Sequence, residues 1–281
     1  MAALTEAGTS RTAKAGDITL HYNEAGNGDT LIMIHGGGPG ASGWSNFRGN
    51  IGPLSEHFRV LLVDMPGFGK SDKPHYSESH GAYTARAIKN LMDTLDIPKA
   101  HFIGNSLGGH SALKFALDYP DRAGRLVAMA PATANFVNTT APSPPEGVRL
   151  LMSYYRPPGP SVEKLKAFIQ TLVYDSSWLT DDIVKERYES SIKPDIVSWT
   201  KAVMARPHHI EPFWTEFDKI AHPTLLVWGR DDRVVPLDGS LFMLQRMKNA
   251  QLHVYPRCGH WAMVERPAEF NSLCLDFLRQ K

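Results

Sequence analysis

The chain predicts an α/β protein: a mostly parallel sheet covered by helices on both faces and interrupted once by a helical insertion. Three observations carry this expectation. Short apolar runs suited to strands buried on both faces recur along the chain, several of them ending in glycine-rich or polar loops. Runs with helical spacing alternate with them, and strand–helix alternation builds parallel sheets. From residue 132 to about 215 the alternation stops and proline-rich, then helix-like, sequence replaces it.

In chain order, residues 1–16 read as a loose start. Asp17 to Glu24 alternates apolar and polar residues, as a half-exposed strand would, and Gly26-Asn27-Gly28-Asp29 is a turn. Thr30 to Ile34 is a buried strand that ends in His35-Gly36-Gly37-Gly38-Pro39-Gly40. Arg59 to Asp64 is a second, ending in Met65-Pro66-Gly67-Phe68-Gly69. Residues 82–95 carry Ala87, Ile88, Leu91, Met92 and Leu95 at helical spacing, and Pro98 stops the run. Ala100 to Ile103 is a strand, Gly109 to Tyr119 a helix, and Arg125 to Met129 a further strand. The insertion opens with Pro142, Pro144, Pro145, Pro157, Pro158 and Pro160, then turns amphipathic over 162–175 and 180–192 with no strand run. The sheet pattern resumes at Thr224 to Gly229, followed by a helix over 238–248, a strand from Gln251 to Tyr255 and a final helix over 267–279. The expected division is a core over 1–131, a helical lid over 132–215 and the remainder of the core over 216–281.

Composition narrows the function classes. A net charge of +1 makes no electrostatic case for nucleic acid or an anionic membrane. No window approaches the roughly 18 apolar residues of a membrane span. The start of the chain lacks the apolar stretch of a secretory signal, so a cytoplasmic protein is expected. Two cysteines, Cys258 and Cys274, are too few for a disulfide framework and fit no common zinc spacing. His208-His209-x-Glu211 lacks further ligands at sensible spacing, so it reads as a loop and no metal or other cofactor is expected.

Chemistry concentrates at Gly104-Asn105-Ser106-Leu107-Gly108. A G-x-S-x-G stretch between a strand and a helix is a nucleophile elbow, in which small flanking residues permit a sharp turn that exposes the serine. Two later loops, each just past an apparent strand, carry possible partners. Gly229-Arg230-Asp231-Asp232-Arg233-Val234-Val235-Pro236 offers two aspartates, and Cys258-Gly259-His260-Trp261 offers a histidine. Strand C-terminal ends are where open α/β sheets keep their sites. His260 would take the Ser106 proton, and Asp231 or Asp232 would orient the imidazole. The developing oxyanion needs preorganised N–H donors; the Leu107 amide is one, and the loop from His35 to Gly40 offers the other. His110 reads as packing, and Cys258, with Ser106 present, is not expected to be a nucleophile.

These residues resemble the α/β-hydrolase superfamily and, more narrowly, the meta-cleavage product hydrolases of aromatic and steroid catabolism. The matching stretches are His35 to Asn46, Asp64 to Asp72, Gly104 to Gly109, Trp228 to Asp238 and Cys258 to Trp261, and the likeness runs from about 18 to 279. The resemblance implies an eight-stranded α/β-hydrolase fold with the chain order Ser106, Asp232, His260, since Gly229, Asp232 and Pro236 fit the family's aspartate loop. It places the second oxyanion donor at Gly37 beside Leu107. It implies a carbon–carbon bond hydrolase that cleaves 2-hydroxy-6-oxo-hexa-2,4-dienoates to 2-hydroxypenta-2,4-dienoate and a carboxylic acid. Asn46, Asn105 and Trp261 would bind the dienoate end, and Arg187, which resembles the family's substrate-binding arginine, its carboxylate. Leu172, Val234 and Val235 would border the C6 substituent, with room for either a phenyl ring or a short alkyl chain. A homo-oligomer acting on a small-molecule dienoate is expected. An esterase with the same triad, or a non-catalytic ligand-binding homologue, would account for the elbow but not for Asn105, Arg187 and Trp261 together.

Overall fold

The computed structural model describes residues 4–136, 141–205 and 213–280. Its eight-stranded sheet has the order β1-β2-β4-β3-β5-β6-β7-β8. The strands are β1 (Ser10–Ala15), β2 (Ile18–Ala25), β3 (Thr30–Ile34), β4 (Arg59–Val63), β5 (Ala100–Asn105), β6 (Ala123–Met129), β7 (Thr224–Gly229) and β8 (Ala250–Tyr255). From β4 to β8 every pairing is parallel, while β1 and β2 run antiparallel at one edge. The central strands are buried along their whole length, as their unbroken apolar runs require. Burying side chains such as Ile32, Leu61 and Leu226 contributes about 1.5–3 kcal/mol each.

The start of the chain is not loose. A short helix, Glu6–Thr9, leads into β1, which pairs with β2 along its full length. Its sequence, Ser-Arg-Thr-Ala-Lys-Ala, carries little apolar signal because β1 is an edge strand with its polar residues in solvent. β2 is more buried than its alternation suggests, since its inward polar residues are paired. Asn23 donates to the Glu6 carbonyl and to Thr9 Oγ1, and His21 bridges Ser10 Oγ (2.8 Å) and Asp64 Oδ2 (2.9 Å).

Between β6 and β7 the described residues form four α-helices, Glu146–Ser153, Val162–Thr171, Asp181–Ser191 and Pro194–Met204, and no strand. The first was hidden by its proline-rich approach. The last begins with Pro194 in its first turn, a position proline tolerates because that N–H has no helical partner. Among the described residues no helix is long and apolar enough to cross a membrane.

Candidate active site

β5 ends at Asn105, and Ser106 turns the chain into the helix Leu107–Asp118 with φ 55° and ψ −115°. A non-glycine residue held there costs about 1–3 kcal/mol, so its surroundings must enforce it. They do so at close quarters. A Cβ on Gly104 would lie 2.4 Å from the Gly108 carbonyl oxygen, and one on Gly108 would lie 2.1 Å from that of Ile34. The Ser106 N–H donates to Met129 on β6, and its carbonyl accepts from Ala132 and His110. The elbow is thus pinned to the strand on one side and to its own helix on the other.

The two later loops converge on it. Asp232, not Asp231, meets the histidine: its Oδ2 lies 2.7 Å from His260 Nδ1, with both side chains out of solvent. The other oxygen, Oδ1, accepts from the Val234 and Val235 N–H groups at 2.7 and 2.9 Å, so the carboxylate is held on both sides. Asp231 instead pairs with Arg230 at the surface. Asn105 Nδ2 donates to the His260 carbonyl at 3.4 Å, tying the elbow to the histidine loop. An imidazole buried against a carboxylate, on a loop tied through Asn105 to a serine elbow, has the surroundings of a proton acceptor.

Gly37 and Leu107, the two expected oxyanion donors, are in contact, since a Cβ on Gly37 would fall 2.8 Å from Leu107 Cδ2. Leu107 is the first residue of its helix, so its N–H has no intrahelical partner. The loop is braced by His35, the first residue of its motif. Burial holds its pKa below the usual histidine value, which keeps it neutral. Nδ1 lies 2.7 Å from the Gly36 carbonyl, and Nε2 accepts from the Met65 N–H at 3.0 Å.

Beside this loop lies a cavity of about 610 Å³ whose wall includes Gly37, Gly38, Asn46, Leu107, Arg187 and Trp261. Ser106, Asn105 and His260 are not in that wall, although Leu107 and Trp261, their neighbours in sequence, are. Arg187 is 7% exposed, and its Nε donates to the Pro39 carbonyl at 2.9 Å. Its guanidinium sits 5.0 Å over the Trp261 ring, and among the described residues no carboxylate pairs with it. Burial pulls its pKa down to about 10, well above neutrality, so the charge persists. Both amide atoms of Asn46 and Oδ1 of Asn105 are buried without hydrogen-bond partners. Unmet buried polar groups are costly in a folded protein, so a water or a ligand has to supply the partner.

Leu172, Val234 and Val235 are buried but lie off this cavity. The Leu172 carbonyl accepts from the Trp261 N–H, and that of Val235 from the Trp228 indole. His110 packs on Phe213, and Cys258 is buried, with its thiol pKa pushed up by burial. His208, His209 and Glu211 lie outside the described residues.

His80, also on the cavity wall, has its pKa held down to about 4 by burial. Between its ordinary value of 6.5 and about 4 the unfolded chain therefore takes up a proton that the folded chain refuses. Its contribution to stability is intact above pH 6.5 and declines as pH falls toward 4. His80→Gln should flatten the pH dependence of the urea midpoint in that window, where the native residue contributes a slope of at most about 1.4 kcal/mol per pH unit.

The alpha/beta hydrolase fold model matches residues 29–267. The chain is 42% identical to a 2-hydroxy-6-oxononadienedioate/2-hydroxy-6-oxononatrienedioate hydrolase of Paraburkholderia xenovorans, over 99% of this chain and 98% of that protein. It is also 42% identical to a 2-hydroxy-6-oxo-6-phenylhexa-2,4-dienoate hydrolase of Comamonas testosteroni, with both chains covered completely. Among solved structures, a mutant of the meta-cleavage product hydrolase CumD superposes with a TM-score of 0.85 at 34% identity, covering 96% of this chain and 97% of that one.

Proposed function

Because the chain belongs to the alpha/beta hydrolase fold family and, within it, to the meta-cleavage product hydrolases, we propose that it hydrolyses the carbon–carbon bond of 2-hydroxy-6-oxo-hexa-2,4-dienoates. The products are 2-hydroxypenta-2,4-dienoate and a carboxylic acid, formed in aromatic catabolism. The observation that carries this reading is the buried Arg187 guanidinium, without a carboxylate partner among the described residues, which shares a pocket with the unsatisfied Asn46 amide near the Ser106 elbow. A simple ester needs no such charged subsite, whereas a dienoate carboxylate does.

The chemistry fits these groups. Breaking a carbon–carbon bond requires a sink for the electron pair left on C5. Moving the 2-hydroxyl proton to C5 gives a ketone conjugated with the C3–C4 double bond. Arg187, Asn46, Asn105 and Trp261 would hold that end of the substrate. His260, oriented by Asp232, would take the Ser106 proton as the oxygen adds to the C6 carbonyl. The Gly37 and Leu107 amides would stabilise the oxyanion. When C5–C6 breaks, its pair passes through C4–C3 to the C2 oxygen, and protonation releases the dienol. Water then releases the C6 acyl group as the acid. Leu172, Val234 and Val235, around the Asp232 and His260 loops, would border the C6 substituent, with the helices between β6 and β7 as lid.

Steady-state rates with methyl-, isopropyl- and phenyl-substituted dienoates and with the nonadienedioate, followed by loss of visible absorbance, test this reading. Turnover of at least one dienoate well above that of a p-nitrophenyl ester is expected. Rapid ester cleavage with no dienoate cleavage would overturn it. The same reading makes the enzyme a cytoplasmic homo-oligomer, and light scattering after gel filtration checks the assembly.

A further inference from the structure

The residues on either side of His260 are both tied to one short segment of the insertion. Trp261 donates its N–H to the Leu172 carbonyl at 3.0 Å. Gly259 donates to Glu265 Oε1 at 2.7 Å, and Glu265 Oε2 accepts from the Tyr174 N–H at 2.7 Å and that of Asp175 at 3.4 Å. The Cys258 thiol also points at Oε1, at 3.6 Å. One carboxylate therefore bridges the histidine loop and residues 174–175. The fit between them is close, because a Cβ on Gly259 would lie 2.9 Å from both the Leu172 carbonyl oxygen and Val173. Segment 172–175 directly follows the helix Val162–Thr171, whose Ile169 lines the cavity and whose Phe168 sits against Gly38.

A neutral side chain could not make this bridge. Each Glu265 oxygen faces an N–H donor, so both ends of the group must accept. An amide has a single oxygen and would turn its NH₂ against a donor. The carboxylate is partly buried, and burial raises its pKa. The fold keeps it there against desolvation, with Cys258, Gly259, Tyr174 and Asp175 as its hydrogen-bond partners.

We propose that Glu265 is a positioning residue for the reaction: it fixes His260 by anchoring the histidine loop to insertion segment 174–175, so that the base is aligned only when that segment is seated. This rests on the proposed role of His260 as proton acceptor. Glu265 touches no reacting atom and acts through the loop. A shift of about 1 Å in a catalytic group costs on the order of 100-fold in rate.

Glu265→Gln and Glu265→Ala, each with His260→Ala for comparison, test the proposal. With the preferred dienoate, Glu265→Gln should lower kcat about 10-fold and Glu265→Ala about 100-fold. KM should stay within about threefold, because Arg187 and Asn46 lie on other elements and Trp261 keeps its own N–H bond to the Leu172 carbonyl. Rates are taken per folded molecule, judged by near-ultraviolet circular dichroism, so that lost fold cannot pass for lost alignment. The glutamine variant keeps the shape of the side chain and carries the test if the alanine variant does not fold. A kcat within twofold of wild type for Glu265→Gln, or a KM that rises as much as kcat falls, would overturn the proposal. An inactive His260→Ala beside a fully active Glu265→Gln refutes the positioning role alone. A His260→Ala with wild-type turnover refutes the functional reading itself.

Discussion

Ser106→Ala is expected to lower kcat by at least about 10³-fold while the protein still binds the dienoate. Removing a nucleophile that works as a unit with its base and orienting acid has effects of that order or larger. The groups assigned to the dienoate end, Arg187, Asn46 and Trp261, are separate from the hydroxyl. Alanine also relieves nothing that the fold needs, because Ser106 has a positive φ that the elbow enforces through backbone bonds to Met129, Ala132 and His110. Stopped-flow absorbance with equimolar enzyme and substrate checks both parts: the dienoate spectrum should shift on binding and then persist. Product release at near wild-type rate would remove Ser106 from the chemistry.

Arg187→Gln is expected to cost about 3 kcal/mol in kcat/KM, or about 100-fold. Hydrogen bonds to a charged partner contribute about 1.5–3 kcal/mol, and a buried carboxylate left without its counter-charge adds a desolvation penalty. The guanidinium is open to a ligand: among the described residues its hydrogen bond is from Nε, to the Pro39 carbonyl. Its charge survives burial because a pKa near 10 leaves it protonated at neutral pH. Arg187→Lys should recover part of the loss, since it restores a charge but not the planar fork. Competition by small carboxylates supplies a second measurement: product-like acids should inhibit the wild type and lose that effect in Arg187→Gln. Equal kcat/KM for the two proteins would refute the assignment.

The strands and the elbow were legible because their signals are local. β3 and β7 are unbroken apolar runs bounded by turn residues, and they occur at the bounds those runs suggest. Gly104 and Gly108 announce a turn that tolerates no side chain, and the contacts a Cβ would make there explain why. β1 leaves no such signal because an edge strand needs no apolar pattern; it is held by pairing with β2, by His21 reaching across to Ser10, and by Asn23 fixing the helix that leads into it. The helix Glu146–Ser153 was obscured by its proline-rich approach. Glu265 carries no motif at all, since two of its partners are backbone N–H groups 91 and 90 residues away, at 174 and 175. Side chains that bind backbone leave no compositional trace in the partner.

Taken alone, the residues determine an α/β sheet, a strained serine turn and two loops able to furnish an acid and a base, because these depend on apolar periodicity and on glycine where a Cβ cannot fit. Which of two adjacent aspartates meets the histidine is different. Asp231 and Asp232 are chemically identical; the family's loop pattern points to Asp232, and the turn after β7 supplies the physical reason, sending Asp231 to Arg230 at the surface and Asp232 to His260. Likewise an arginine on an amphipathic helix is ordinary until packing buries it over Trp261 with no carboxylate among the described residues to neutralise it. Burial and the absence of a partner are properties of several elements brought together, so only the tertiary structure could decide them.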